Sequence, residues 1–124
     1  MSQHILIVDD EKNIAISVDY LLRREGYEVS VAHDGEEGLR RIRDDRPDLV
    51  LLDIMMPKLN GFQVCEAVRQ DPELAGVRIV MLTAKGRDAE KEKGLALGAD
   101  AYITKPFATR ELVSQVKALL QPTT

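Results

Sequence analysis

The stretch DLVLLDIMMPKLNG, residues 48–61, decides how this chain is read. Leu49, Val50, Leu51 and Leu52 form an apolar run. Such a run is too short for a helix and suits a strand buried on both faces. A carboxylate, Asp53, stands where that strand should end. Behind it come Met55, Met56, Pro57 and an Asn60-Gly61 turn signal. In an open α/β sheet, ligands bind beyond the carboxyl ends of the strands. Asp53 is therefore where chemistry is expected, and its meaning depends on what the other strands deliver to the same edge.

Working outward, the same alternation repeats on both sides. Upstream, HILIV at 4–8 reads as a buried strand running into Asp9-Asp10-Glu11. From Lys12, the residues Ile14, Val18, Leu21 and Leu22 mark one helix face, with Gly26 as its C-terminal cap. Tyr27–Ala32 alternates as a second strand, Asp34-Gly35 makes a turn, and Glu36–Arg46 is a second amphipathic helix halted by Pro47. Downstream, Phe62, Val64, Cys65 and Val68 place a helix on residues 61–70. VRIVML at 77–82 is a fourth buried strand closing at Thr83. Asp88–Leu97 is a charged helix weakened by Gly94, where glycine costs about 1 kcal/mol relative to alanine. Ala101–Thr104 is a short fifth strand ended by Lys105-Pro106. Thr109 is placed to cap a last helix whose apolar face is Leu112, Val113, Val116, Leu119 and Leu120. Strands alternating with helices over short connections predict a parallel sheet covered on both faces. Right-handed crossovers and the small size favour a flavodoxin-like doubly wound (βα)5 fold with strand order 2-1-3-4-5.

The bulk properties narrow the function classes. The 124 residues make one domain, expected to span 1–124. A formal net charge of −4 argues against direct nucleic-acid binding, which needs a basic patch. A single cysteine, Cys65, excludes an internal disulfide, reads as helix core, and suits a reducing, cytoplasmic setting. Neither a signal peptide nor a membrane span is visible. Met55, Met56 and Met81 read first as gap fillers.

At the strand ends the polar residues accumulate. Strand 1 brings Asp9 and Asp10, strand 3 brings Asp53, strand 4 Thr83 and strand 5 Lys105. Singly, each has an ordinary explanation: helix-starting acids, a turn aspartate, a solvated loop lysine. In the expected order strands 1 and 3 are neighbours, so the carboxylates converge and repel unless a cation is bound. An all-oxygen donor set points to a hard ion, Mg²⁺ or Mn²⁺. Such an ion beside a carboxylate, a lysine and a hydroxyl makes a phosphoryl-transfer arrangement, in which Asp53 is the best candidate nucleophile.

These motifs together are similar to those of the receiver domain of two-component response regulators. The carriers are ILIVDDE at 5–11, DLVLLDIMMPKLNG at 48–61, MLTAKG at 81–86 and GADAYITKPF at 98–107. The resemblance implies roles residue by residue. Asp53 would be the phosphoacceptor. Asp10 would bind Mg²⁺ directly, Asp9 mainly through water, and Met55 through its backbone carbonyl. Thr83 and Lys105 would bind the phosphoryl group, and Lys105-Pro106 would be a cis peptide. Tyr102 would be the switch aromatic that turns inward as Thr83 moves. Met55 and Lys85 would tune hydrolysis of the acyl phosphate, which the domain would catalyse on itself; it would otherwise be a regulator, not an enzyme.

The resemblance also implies partners. The phosphoryl donor would be a sensor histidine kinase or a histidine phosphotransfer protein, docking on the first helix through Ile14, Ala15 and Val18. Output would pass through the face formed by helix 4, strand 5 and helix 5. The motif GADAYITKPFATREL looks closest to receivers attached to winged-helix DNA-binding domains, which dimerise through that face. Lys91, Asp100, Arg110, Glu111 and Lys117 fit their charged network, while Ala101 and Gln115 depart from it. The expectation is a monomer when unphosphorylated, with a phosphorylation-dependent dimer open to this face. With its last helix ending near Gln121, the chain is expected to carry no output domain, as a stand-alone receiver or an excised half.

Three other classes compete. A phosphatase or phosphotransferase with an Asp nucleophile would carry a second acid two residues after it, where Met55 stands. A degenerate receiver would lack one of Asp9, Asp10, Asp53, Thr83 or Lys105. A flavodoxin would need a Ser/Thr/Gly-rich phosphate loop after strand 1, where Asp9-Asp10-Glu11 would repel phosphate.

Overall fold

Successive residues of a strand point to opposite faces of its sheet, and this chain fills both faces with aliphatic side chains. A computed structural model describes residues 3–84 and 88–121. The elements run β1 (His4–Val8), α1 (Lys12–Arg24), β2 (Glu28–Ala32), α2 (Gly35–Asp45), β3 (Leu49–Asp53), α3 (Gly61–Arg69), β4 (Arg78–Ala84), α4 (Asp88–Ala96), β5 (Ala101–Lys105) and α5 (Thr109–Leu120). The strands form one parallel sheet in the order β2-β1-β3-β4-β5. This is the flavodoxin-like doubly wound arrangement the sequence predicts.

β3 is fully buried along its length, as its unbroken apolar run requires. Leu6, Val8, Val50, Leu52, Ile79 and Met81 face α2 and α3, meeting Leu39, Ile42, Val64, Cys65 and Val68. Ile5, Ile7, Leu49, Leu51, Val80, Leu82 and Ile103 face α1 and α5, meeting Ala15, Val18, Leu22, Leu112, Val116 and Leu120. Each fully buried aliphatic side chain stabilises the fold by about 1.5–3 kcal/mol. Among the described residues no helix is long and apolar enough to cross a membrane.

The local signals behave as their chemistry dictates, with five differences. Asn60 is not a free turn residue. It is the N-cap of α3, in a capping box with Gln63 at 2.9 Å in both directions. Asp34 likewise caps α2, accepting from the Glu37 N–H at 2.8 Å. Thr109 does not cap α5: Ala108 holds that position, without a side-chain cap bond, and Thr109 is the first helical residue. Gly94 is not merely a weak point in α4. It is buried, and an added Cβ would lie 3.2 Å from Met81 Cγ, so the glycine seats α4 against β4. A turn of 3-10 helix, Pro72–Leu74, capped by Asp71, had no counterpart in the sequence reading.

The predicted surface roles divide. Ala15 and Val18, expected to dock a kinase, are each only 2% exposed and belong to the core. Docking through them is therefore incorrect, because the helix face they lie on is the one α1 needs for the sheet. The apolar residues α1 exposes are Ile16 and Tyr20. Met55 is 72% exposed and fills no gap, whereas Met81 is core. Cys65 is buried and free, as expected.

Candidate functional site

The parallel register places the strand ends side by side. Val8 pairs with Leu52, so the next residues, Asp9 and Asp53, leave adjacent strands together. Asp53 pairs with Leu82, and Ala84 with Lys105. Asp9, Asp10 and Asp53 each offer a carboxylate oxygen, all within 4.8 Å of one another. Asp9 is fully buried, Asp53 is 6% exposed, and Asp10 lies at the surface.

Asp9 is held from two directions. Its Oδ1 accepts from the Glu11 N–H at 2.8 Å, and its Oδ2 from Lys105 Nζ at 3.0 Å. The same ammonium lies 3.4 Å from Asp53 Oδ1 and 3.3 Å from Glu11 Oε1. Burial and these acids act on Lys105 in opposite directions. Desolvation draws its pKa down, but Asp9, Asp53 and Glu11 outweigh it, and the net shift is upward. Lys105 is therefore a firmly protonated cation.

Asp53 responds the other way. Burial, then the charge of Asp9, push its pKa up to about 6 despite Lys105; Asp10 adds to the rise. One ammonium thus faces a crowd of carboxylates. A hard divalent cation fits such an all-oxygen, partly exposed cluster, with Asp10 on the open side able to receive a hydrated ion.

Beyond Asp53 the chain turns tightly. Ile54 is buried, and its carbonyl accepts from the Gly61 N–H at 2.8 Å. A Cβ at Gly61 would fall 2.5 Å from the Asp53 carbonyl oxygen, so only glycine permits this return. Within that loop Lys58 takes a φ of 72°, and its Nζ lies 3.6 Å from Asp34 Oδ2. A cavity of about 160 Å³ opens beside Asp53, lined also by Glu11, Met55, Ala84, Glu90 and Lys105. Thr83, next to this wall on β4, is 1% exposed, and its Oγ1 has no hydrogen-bond partner among the described residues. Tyr102 is 38% exposed, with Lys91 Nζ 4.9 Å from its ring centre. The Lys105–Pro106 peptide is cis.

The structure thus brings together Asp9, Asp10, Asp53 and Lys105, sets Met55 in the cavity wall and leaves Tyr102 outside. Lys85 lies outside the described residues. The cavity also holds two acids that the sequence does not single out as site residues, Glu11, which directly follows the paired acids, and Glu90, which lies among the mixed charges of α4.

Three members of the expected dimer network, Asp100, Lys117 and Lys91, are paired within the chain. Asp100 Oδ2 accepts from Arg69 Nη2 at 2.9 Å and from the Ile79 N–H at 2.8 Å. Lys117 pairs with Glu25, the C-cap of α1, and Lys91 lies 3.6 Å from Asp88.

Comparison with known proteins matches this arrangement. Residues 5–117 fit the family model described as the response regulator receiver domain. The chain is 48% identical over 121 residues to the alkaline phosphatase synthesis transcriptional regulatory protein PhoP of Bacillus subtilis. That alignment covers 98% of this chain and 50% of the relative, so the chain spans about half the length of the curated relative. A putative response regulator from Chloroflexus aurantiacus superposes with a TM-score of 0.93 at 40% identity, covering 97% of this chain and 98% of that one. The chemotaxis response regulator CheY4 of Vibrio cholerae does so with a TM-score of 0.91 at 33% identity, covering 97% and 100%. By sequence, fold and the acids at its strand ends, this chain belongs to the response regulator receiver domain family.

Proposed function

We propose that Asp53 is the phosphoacceptor of a Mg²⁺-dependent signalling switch, charged by a histidine kinase or a histidine phosphotransfer protein. The observation that carries this reading is the convergence at one cavity of Asp53, the acids Asp9 and Asp10, and the ammonium of Lys105. A carboxylate oxygen of Asp53 forms a new bond to phosphorus as the bond from phosphorus to the donor nitrogen breaks. The released imidazole then takes its proton equilibrium from solvent. Asp10 and Asp53, with the Met55 backbone carbonyl, would hold Mg²⁺ or Mn²⁺, and Asp9 would act on it mainly through water; the ion would supply charge neutralisation at the acids and the transferred oxygens. Lys105 donates to a phosphoryl oxygen, where its full protonation is required. Hydrolysis cleaves the acyl phosphate: water adds to phosphorus, Asp53 leaves as carboxylate, and inorganic phosphate is released with the water's proton passing to solvent.

Thr83 supplies the switch. Its buried hydroxyl lacks a partner among the described residues, and a phosphoryl oxygen on Asp53 would provide one. Movement of Thr83 vacates space into which the exposed Tyr102 ring turns, reshaping the face of α4, β5 and α5. That face carries a groove of about 530 Å³ lined by Leu95, Tyr102, Thr104, Glu111 and Gln115 among others. The domain acts as one unit and remains monomeric while unphosphorylated, consistent with Asp100 and Lys117 being paired internally.

The test is direct. Incubation with Mg²⁺ and acetyl phosphate yields a single phosphate mass adduct, which is absent in Asp53→Asn and after chelation. An adduct of unchanged yield in Asp53→Asn would remove Asp53 from the site.

A further inference from the structure

Glu11 occupies the N-cap position of α1, yet its side chain makes no capping hydrogen bond. Instead it reaches across the sheet edge, and Oε1 lies 3.3 Å from Lys105 Nζ, 94 residues away. It also lines the cavity beside Asp53. An ammonium has three N–H donors. Here three carboxylates surround it: Asp9 at 3.0 Å, Glu11 at 3.3 Å and Asp53 at 3.4 Å.

A phosphoryl oxygen arriving on Asp53 needs one of those donors. Asp9 cannot give up its share, because its side chain has no exposure and cannot turn to water. Its other oxygen is fixed by the Glu11 N–H. Glu11 differs: its side chain is 57% exposed, so its carboxylate can be rehydrated at small cost. Building on the phosphoacceptor reading, we propose that Glu11 is the exchangeable partner of Lys105, holding the ammonium until the phosphoryl group displaces it. Glu11 is then a positioning residue that acts through Lys105. It sets the ammonium at the cavity in advance, and by competing for it slows acceptance of the phosphoryl group.

Shortening and removing the side chain separate this role from simple charge. Glu11→Asp keeps the negative charge but retracts it by one methylene, out of reach of Lys105. Glu11→Ala removes both charge and contact. The experiment follows phosphorylation of wild type and both variants by acetyl phosphate with Mg²⁺, at low and high salt, with melting temperatures alongside. Both variants should be phosphorylated about threefold faster than wild type, the scale of one exposed ion pair. Wild-type rate in Glu11→Asp with acceleration confined to Glu11→Ala, and erased by salt, would show charge alone and overturn the exchange. Unchanged rates in both variants with altered melting would show a purely structural residue and overturn it too. Failure of wild type itself to take a phosphoryl group would instead bring down the acceptor reading, and this inference with it.

Discussion

The acid end of β1 and β3 and the face built from α4, β5 and α5 handle charge in opposite ways. At the acid end, carboxylates are crowded and largely buried, with Lys105 as their shared ammonium. Asp53 there is pushed up to about 6. On the face, three charges are partnered: Asp100 with Arg69, Lys117 with Glu25, and Lys91 with Asp88. The first region gains when a cation or phosphoryl group arrives. The second is already settled, so it changes only when something moves it. Thr83 stands between them, buried and unpartnered among the described residues. On the proposed reading, input falls to the tense region and output to the relaxed one.

Relieving the tension should produce the largest effect. The pKa of Asp53 is raised from 3.8 to about 6, so the folded protein binds its proton more tightly than the unfolded chain does. This contribution to stability is fully present below the unfolded value and is lost as pH rises through about 6. Asp53→Asn should therefore stabilise the metal-free protein by up to about 3 kcal/mol around pH 7. The gain should shrink towards zero near pH 4, and urea unfolding at both pH values measures it. Equal stability of the two proteins at neutral pH would mean the acid end is not strained.

Breaking the settled region should have the opposite sign. Asp100→Ala leaves the Ile79 N–H and the Arg69 guanidinium without their shared acceptor. A loss of about 2 kcal/mol is expected in the same unfolding assay, since both groups are partly buried.

The smallest effect belongs to the link. Thr83→Val keeps the shape and removes a hydroxyl that is buried and unpartnered among the described residues, so the unphosphorylated protein should gain about 1 kcal/mol. A loss of stability instead would reveal a hydrogen bond to this hydroxyl.

Much of the fold was legible because burial on both faces leaves an unmistakable trace, as in Leu49–Leu52. The site residues were legible for a related reason. A strand end fixes its residue in space, so Asp9, Asp53 and Lys105 could be placed from sheet order alone. What resisted reading depended on side chains that travel. Glu11 reaches Lys105 across the sheet edge, and Asp100 reaches Arg69 on α3, contacts between residues far apart in sequence. Helix rotation was the other weak point. Val18 already lies on the apolar face read from the periodicity, so assigning it to docking conflicts with that pattern, whereas Ala15, one position after Ile14, shows its burial only once α1 is seated. Caps misled by a single position, as at Thr109, where Ala108 serves with its backbone alone.

The central claim concerns one carboxylate, and an acyl phosphate can be located chemically. Borohydride reduces an aspartyl phosphate to homoserine, whose position peptide mapping reads directly. After treatment with acetyl phosphate and Mg²⁺, homoserine should appear at position 53 alone. Homoserine at position 9 or 10, or none at 53 in protein that carries the phosphate adduct, would contradict the account.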